Sequence, residues 1–235
     1  MKILKRTPDF EQFLKVLRRQ ERPSYLPFYE HLASPGFMAN RLGLPFDRMS
    51  FSDPDYWSLY VKFWVELGYD CIPMEIPLNC PLGDQAGFHG AHTVGSEARA
   101  VIAGRADYER YPWPPEETPL DFRHFETVAR LLPDGVKIIG GVCAGPYEWA
   151  SWMLGTQGMS YLLADDPELI TEIFRRLGSL HLSAVRQLAG LPGIGALRQG
   201  DDLGYKTATF LSPDLLRRLV FPIYRRMSAA AHQAN

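Results

Sequence analysis

A repeated helix-start signal constrains this chain more than any other feature. Four helix starts are read from a capping side chain followed at once by proline: Thr7-Pro8, Asp53-Pro54, Asp166-Pro167 and Ser212-Pro213. The cap accepts a backbone N–H that has no partner inside the helix. Proline at the first helical position lacks a donor that would be orphaned anyway. Helical spacing follows each start. After Asp53 come Trp57, Tyr60, Phe63, Trp64 and Leu67, with Gly68 placed to end the helix. After Asp166, Leu169, Ile173, Leu177, Leu180, Ala184 and Leu188 make one apolar stripe on a long helix. After Ser212 come Leu215, Leu216, Leu219 and Val220, and Pro222 is expected to bend that helix. A further helix is expected over 121–132.

Short apolar runs at 25–29, 71–75, 137–142 and 195–199 alternate with these helices and read as strands. Their near-continuous apolar character fits parallel strands buried on both faces. Strand followed by helix, four times over, predicts an α/β fold with a parallel sheet. Residues 81–119 form a longer excursion, with an expected hairpin around His92–Thr93–Val94 and 98–102 and a Pro-rich stretch at 111–115. There are no internal repeats, and a single domain over 1–235 is the economical reading.

Bulk properties exclude several classes. With 46% hydrophobic and 12% aromatic residues the chain is not disordered. Its net charge of −2 offers no general attraction for nucleic acid or an anionic membrane. No apolar run approaches the ~20 residues that span a bilayer. The three cysteines, Cys71, Cys80 and Cys143, show no CxxC spacing and read as reduced thiols. The N-terminus passes straight into a helix rather than an apolar signal core, so a cytoplasmic location is expected. No G-x-S-x-G, GKS/GKT or HExxH occurs.

In parallel α/β proteins, ligands bind at the C-terminal ends of the strands, so polar residues there are the candidates. Glu75 ends the second strand, where a carboxylate serves as acid, base or ligand anchor, or as a salt-bridged strand end. Asp201 and Asp202 end the fourth. Neighbours on extended chain point opposite ways, so at most one faces a cavity, and capping is the alternative role. Arg198 suits bidentate binding of a substrate carboxylate, or a structural ion pair. Gly145-Pro146-Tyr147-Glu148 opens a helix whose start favours anions. Tyr147 is expected to line the site, while Glu148 either joins it or complements the helix dipole. Tyr29-Glu30-His31 is the richest polar cluster of the first half, and His31 is either a catalyst or a satisfied structural histidine. His89 and His92 lack accompanying ligands, and no metal is expected from them.

Several segments, taken in order, carry a resemblance. They are Gly68-Tyr69-Asp70, Gly145-Pro146 with 149–153, Asp202-Leu203-Gly204 with Leu211-Ser212-Pro213, and Val220-Phe221-Pro222 with Tyr224-Arg225-Arg226. From about Arg22 onward the chain resembles the uroporphyrinogen decarboxylase superfamily, which also includes zinc-dependent methyltransferases serving corrinoid proteins. The resemblance implies a (β/α)8 TIM barrel of which only about the first four β/α units are present. It also implies a lyase acting on a tetrapyrrole or a related small organic acid. The departures are specific. Where the family carries an arginine-rich loop, this chain has Glu30, with only Arg41 nearby. Glu75 is the nearest counterpart of the family's catalytic Asp, and Trp152 falls at its active-site Tyr. Catalysis is therefore expected from Glu75, Asp201 and Asp202. Substrate contacts are expected from Tyr29, His31, Arg41, Tyr147, Glu148, Trp152 and Arg198.

The alternative within the superfamily is a methyltransferase for a corrinoid protein or thiol. Its zinc residues would lie beyond position 235, so no cofactor is expected within this chain. The resemblance further implies a half-barrel chain that is either truncated or completed by a partner, as a homodimer or with a complementary chain covering its open edges. An inert fragment acting as a binding or assembly module is the reading from outside enzymes.

Overall fold

A computed structural model describes residues 6–19, 21–82 and 100–234. The elements run α1 (Phe10–Arg18), α2 (Pro35–Leu42), α3 (Tyr56–Glu66), β1 (Cys71–Ile76), α4 (Arg105–Arg110), α5 (Arg123–Leu131) and β2 (Lys137–Val142). They continue with α6 (Pro146–Leu154), α7 (Thr156–Asp165), α8 (Pro167–Ala189), β3 (Ile194–Gln199), the short β4 (Gly204–Tyr205) and β5 (Ala208–Thr209), α9 (Pro213–Leu219) and α10 (Phe221–Gln233). The sheet order is β1-β2-β3. Lys137 N donates to Asp70 O, and further along both strands Cys143 N donates to Ile76 O, so the strands run parallel. Helices join each strand to the next, which makes this a mixed α/β fold. β4 and β5 form a separate antiparallel hairpin with Tyr205 opposite Ala208.

The residues gather into two compact units. The first comprises the segments ending at Glu75, Gly141 and Arg198, and the second the segments that follow each of them. In the first unit, Phe10, Cys71 and Ile139 form a buried cluster against which Phe13, Leu14, Tyr29 and Ala196 pack. Asp70, only 1% exposed, ties this unit together. It accepts from Arg6 Nη2, Asp9 N and the Tyr25 hydroxyl, each at 3.0 Å. In the second unit the long α8 is the centre, with Leu169, Ile170, Ile173, Phe174 and Leu177 buried and α6, α7 and α10 packed against it.

Local signals explain most boundaries and miss some. Asp166 Oδ1 accepts from Leu169 N at 3.0 Å, and Ser212 Oγ from Leu215 N at 3.3 Å, so both caps act where the sequence places them. Two others shift. α1 starts at Phe10 with Asp9 as its cap, not Thr7. α3 starts at Tyr56, because Asp53 instead accepts from Ser50 N at 2.6 Å in the preceding turn. Pro222 ends one helix and begins the next rather than bending a single one.

The expected strand at 25–29 does not form, so three parallel strands are present among the described residues, not four. Pro27 sits mid-run and Pro73 sits in the edge strand β1, so neither the run nor the free edge of β1 offers a full set of N–H donors to a ladder between them. Side chains anchor the segment instead, with the Tyr25 ring 3.9 Å from the Arg6 guanidinium carbon. β1 and β2 are largely buried, as parallel strands should be, but every residue of β3, at the edge of the sheet, is half-exposed. The greater part of the expected hairpin, and both His89 and His92, lie outside the described residues.

Candidate functional site

In the first unit a glycine in the middle strand lets two charged residues meet. A Cβ on Gly141 would stand 2.8 Å from Arg198 O and 3.6 Å from Glu75 Oε1. Without that atom, Glu75 at the end of β1 reaches across β2 to β3, and its carboxylate pairs with Arg198 Nη1. Both side chains are about one-quarter exposed, so the pair is partly desolvated but open to a ligand. Among the described residues Arg198 donates from Nη1 alone, which leaves Nη2 and Nε of its fork for another acceptor.

His31 joins this pair. Its Nδ1 lies 3.6 Å from Glu75 Oε1 and is buried without a hydrogen bond. Its backbone N–H donates to Glu30 at 2.7 Å, which fixes the turn. Tyr29 stands beside the charges. Burial chiefly pushes its hydroxyl up to about 12, so it stays a neutral donor at physiological pH. Burial also raises the pKa of Tyr60, whose hydroxyl donates to Pro73 O at 2.7 Å inside β1. Glu75, Arg198, His31 and Tyr29 thus assemble as one polar cluster. A carboxylate behind one imidazole nitrogen and a half-free guanidinium is an arrangement that can hold an anion and move a proton.

In the second unit Asp201 has a different task. α6 begins at Gly145-Pro146, with no capping side chain of its own. Asp201 supplies the cap through space: its carboxylate accepts from Tyr147 N at 3.0 Å and Glu148 N at 2.9 Å. Gly145 makes the approach possible, since a Cβ there would stand 2.1 Å from Asp201 Cγ. Glu148 completes the other half of the box by accepting from Gly145 N at 3.2 Å. The Tyr224 hydroxyl of α10 donates to Asp201 Oδ2 at 2.6 Å. Burial pushes the Asp201 carboxyl up to about 6, against the opposing pull of these donors. The helix start read from sequence as an anion site is therefore already occupied, by the chain's own carboxylate.

The turn before α6 carries backbone strain. Ala144 has φ +60°, which costs a non-glycine residue about 1–2 kcal/mol. Its carbonyl is held by Gln199 Nε2 and faces His181 Nε2, both at 3.1 Å. His181 is fully buried, with Nδ1 2.8 Å from Leu177 O. Burial lowers its pKa, and the neutral ring donates to only one of these carbonyls.

The remaining candidates scatter. Asp202 is exposed, and no side-chain partner is found for it among the described residues, so of the adjacent pair only Asp201 turns inward. Tyr147 is buried and its ring stacks on Phe210 at 5.7 Å. Trp152 packs edge-on to Trp149. Arg41 pairs with Glu66 at 4.0 Å rather than joining Glu75. Burial pushes the thiols of Cys71 and Cys80 up to about 12, which makes both poor nucleophiles. No group of three metal-ligating side chains occurs among the described residues, and no described helix is long and apolar enough to cross a membrane.

Tyr224, His181, Gln199 and the bridging role of Gly141 escape sequence reasoning. Only the Gly-Gly pair inside an apolar strand signals close backbone approach there. No protein-family model matches this chain, and no curated protein or solved structure is significantly similar to it.

Proposed function

We propose that this chain is the site-bearing part of a uroporphyrinogen decarboxylase-like lyase acting on an organic acid. In this reading β1, β2 and β3 belong to a (β/α)8 barrel, and the polar cluster at their C-terminal ends is the active site. The observation that carries it is the Glu75–Arg198 pair with His31 beside it, reached across Gly141. Arg198 holds a substrate carboxylate through the unused part of its fork. His31 exchanges a proton with the reacting carbon through Nε2, while Glu75 steadies Nδ1. Tyr29 donates to the substrate. With one arginine in the cluster instead of an arginine-rich loop, the preferred substrate carries few carboxylates.

The test is calorimetric titration with mono-, di- and tricarboxylic acids, together with release of CO2 from those that bind. Arg198→Gln should weaken carboxylate binding by about tenfold or more. Glu75→Gln removes the internal competitor for the guanidinium, and should leave carboxylate binding intact or tighter while abolishing turnover. Carboxylate affinity unchanged in Arg198→Gln would remove the basis of the assignment.

A further inference from the structure

The second unit carries a groove that none of this chemistry uses. It encloses about 470 Å³ between α8, α10 and the segment 116–119. One wall is a single face of α8, with Ser179, Leu182, Ser183 and Arg186 at helical spacing. The facing wall is Arg226 of α10. Close helix packing brings Arg226 there. A Cβ on Gly178 would stand 2.8 Å from Ile223 Cγ1, so the absence of a side chain draws α10 onto α8 one turn before Arg226.

The third wall is built by side chains whose polar groups are spent in holding it. Gln187 accepts from Leu120 N at 3.0 Å and donates to Thr118 O at 3.3 Å. Arg176 binds Glu116 at 3.2 Å and Pro114 O at 3.3 Å. Glu116 is thereby neutralised. Arg186 and Arg226 have no ion-pair partner among the described residues, and together they outnumber the one uncompensated carboxylate, Glu117. Two unpaired guanidiniums in one concavity make a positive potential that an oxyanion relieves. Leu182 and Pro119 give the same groove an apolar surface.

We propose that this groove binds a small organic anion, its carboxylate or phosphate between Arg186 and Arg226 and its apolar part against Leu182 and Pro119. The site is separate from the Glu75–Arg198 cluster and does not depend on the lyase reading.

The test is calorimetric titration of the whole chain with phenyl phosphate, phenylacetate and inorganic phosphate at low salt. Saturable binding of at least one aryl anion is expected below about 10 mM, tighter than inorganic phosphate and weakened by added salt. Arg186→Gln with Arg226→Gln should weaken it about tenfold or more, whereas Arg198→Gln should leave this site unchanged. The corresponding double lysine variant should keep part of the affinity, which separates lost charge from lost fold. Preference for phenyl phosphate or for phenylacetate tells which anion class the groove takes. No saturable binding of any probe, or equal binding by the double glutamine variant, would overturn the proposal.

Discussion

Replacing Asp201 by Asn tests whether burial or hydrogen bonding governs the second unit. Burial pushes the Asp201 carboxyl from 3.8 to about 6 in the folded chain. Three donors, Tyr147 N, Glu148 N and the Tyr224 hydroxyl, pull the other way. A folded pKa above the unfolded value means that the folded state holds the extra proton between those two values. Stability from this group is therefore complete below about pH 4 and is lost as pH rises through 6. The shift of about two pH units corresponds to about 3 kcal/mol. Asparagine cannot ionise and stands in for the neutral carboxyl. The stability difference between the two proteins should therefore move by about 3 kcal/mol in favour of Asp201→Asn from pH 3 to pH 7, with roughly half of that reached by pH 5. Urea unfolding of both proteins at unit pH steps, read by tryptophan fluorescence and far-UV circular dichroism together, measures it. A difference that stays flat refutes the burial argument. A shift in the opposite direction would mean that the donors win and that the folded carboxyl is the stronger acid.

Tyr224→Phe removes a donor that stabilises the charged form of Asp201. It should cost about 1 kcal/mol at pH 7 and move to higher pH the range over which stability from Asp201 is lost as pH rises, followed in the same urea series. Gly145→Ala puts a methyl group where the Asp201 carboxylate stands. The cap should be expelled at a cost of about 2 kcal/mol or more, and the pH dependence assigned to Asp201 should vanish with it. Asp70→Ala leaves the Arg6 guanidinium, Asp9 N–H and Tyr25 hydroxyl without their shared acceptor, for about 3–5 kcal/mol in chemical denaturation. A loss below about 1 kcal/mol would show that water replaces Asp70 freely.

Part of this architecture was legible in the residues alone. Asp166 and Ser212 cap the helices they precede, and the runs at 71–76, 137–142 and 194–199 are strands, because capping and burial patterns act between residues only a few positions apart. Placing Glu75 and Arg198 at strand ends follows from the same reading. Their pairing does not, since 123 positions separate them and the contact depends on a missing Cβ in a third strand. The run at 25–29 has the apolar character of a strand, but Pro27 within it and Pro73 on the free edge of β1 both lack the N–H that a ladder between them needs.

The same division holds for Asp201. That a carboxylate follows β3, and that α6 begins with glycine and proline and so has no cap of its own, is written in neighbouring residues. That one completes the other across 53 positions, with Tyr224 closing the set, depends on how the folded elements pack. Local signals reflect energies within one turn of chain and survive in a short window. The long-range pairs are set by which elements pack together, and that follows from burying the whole apolar surface at once.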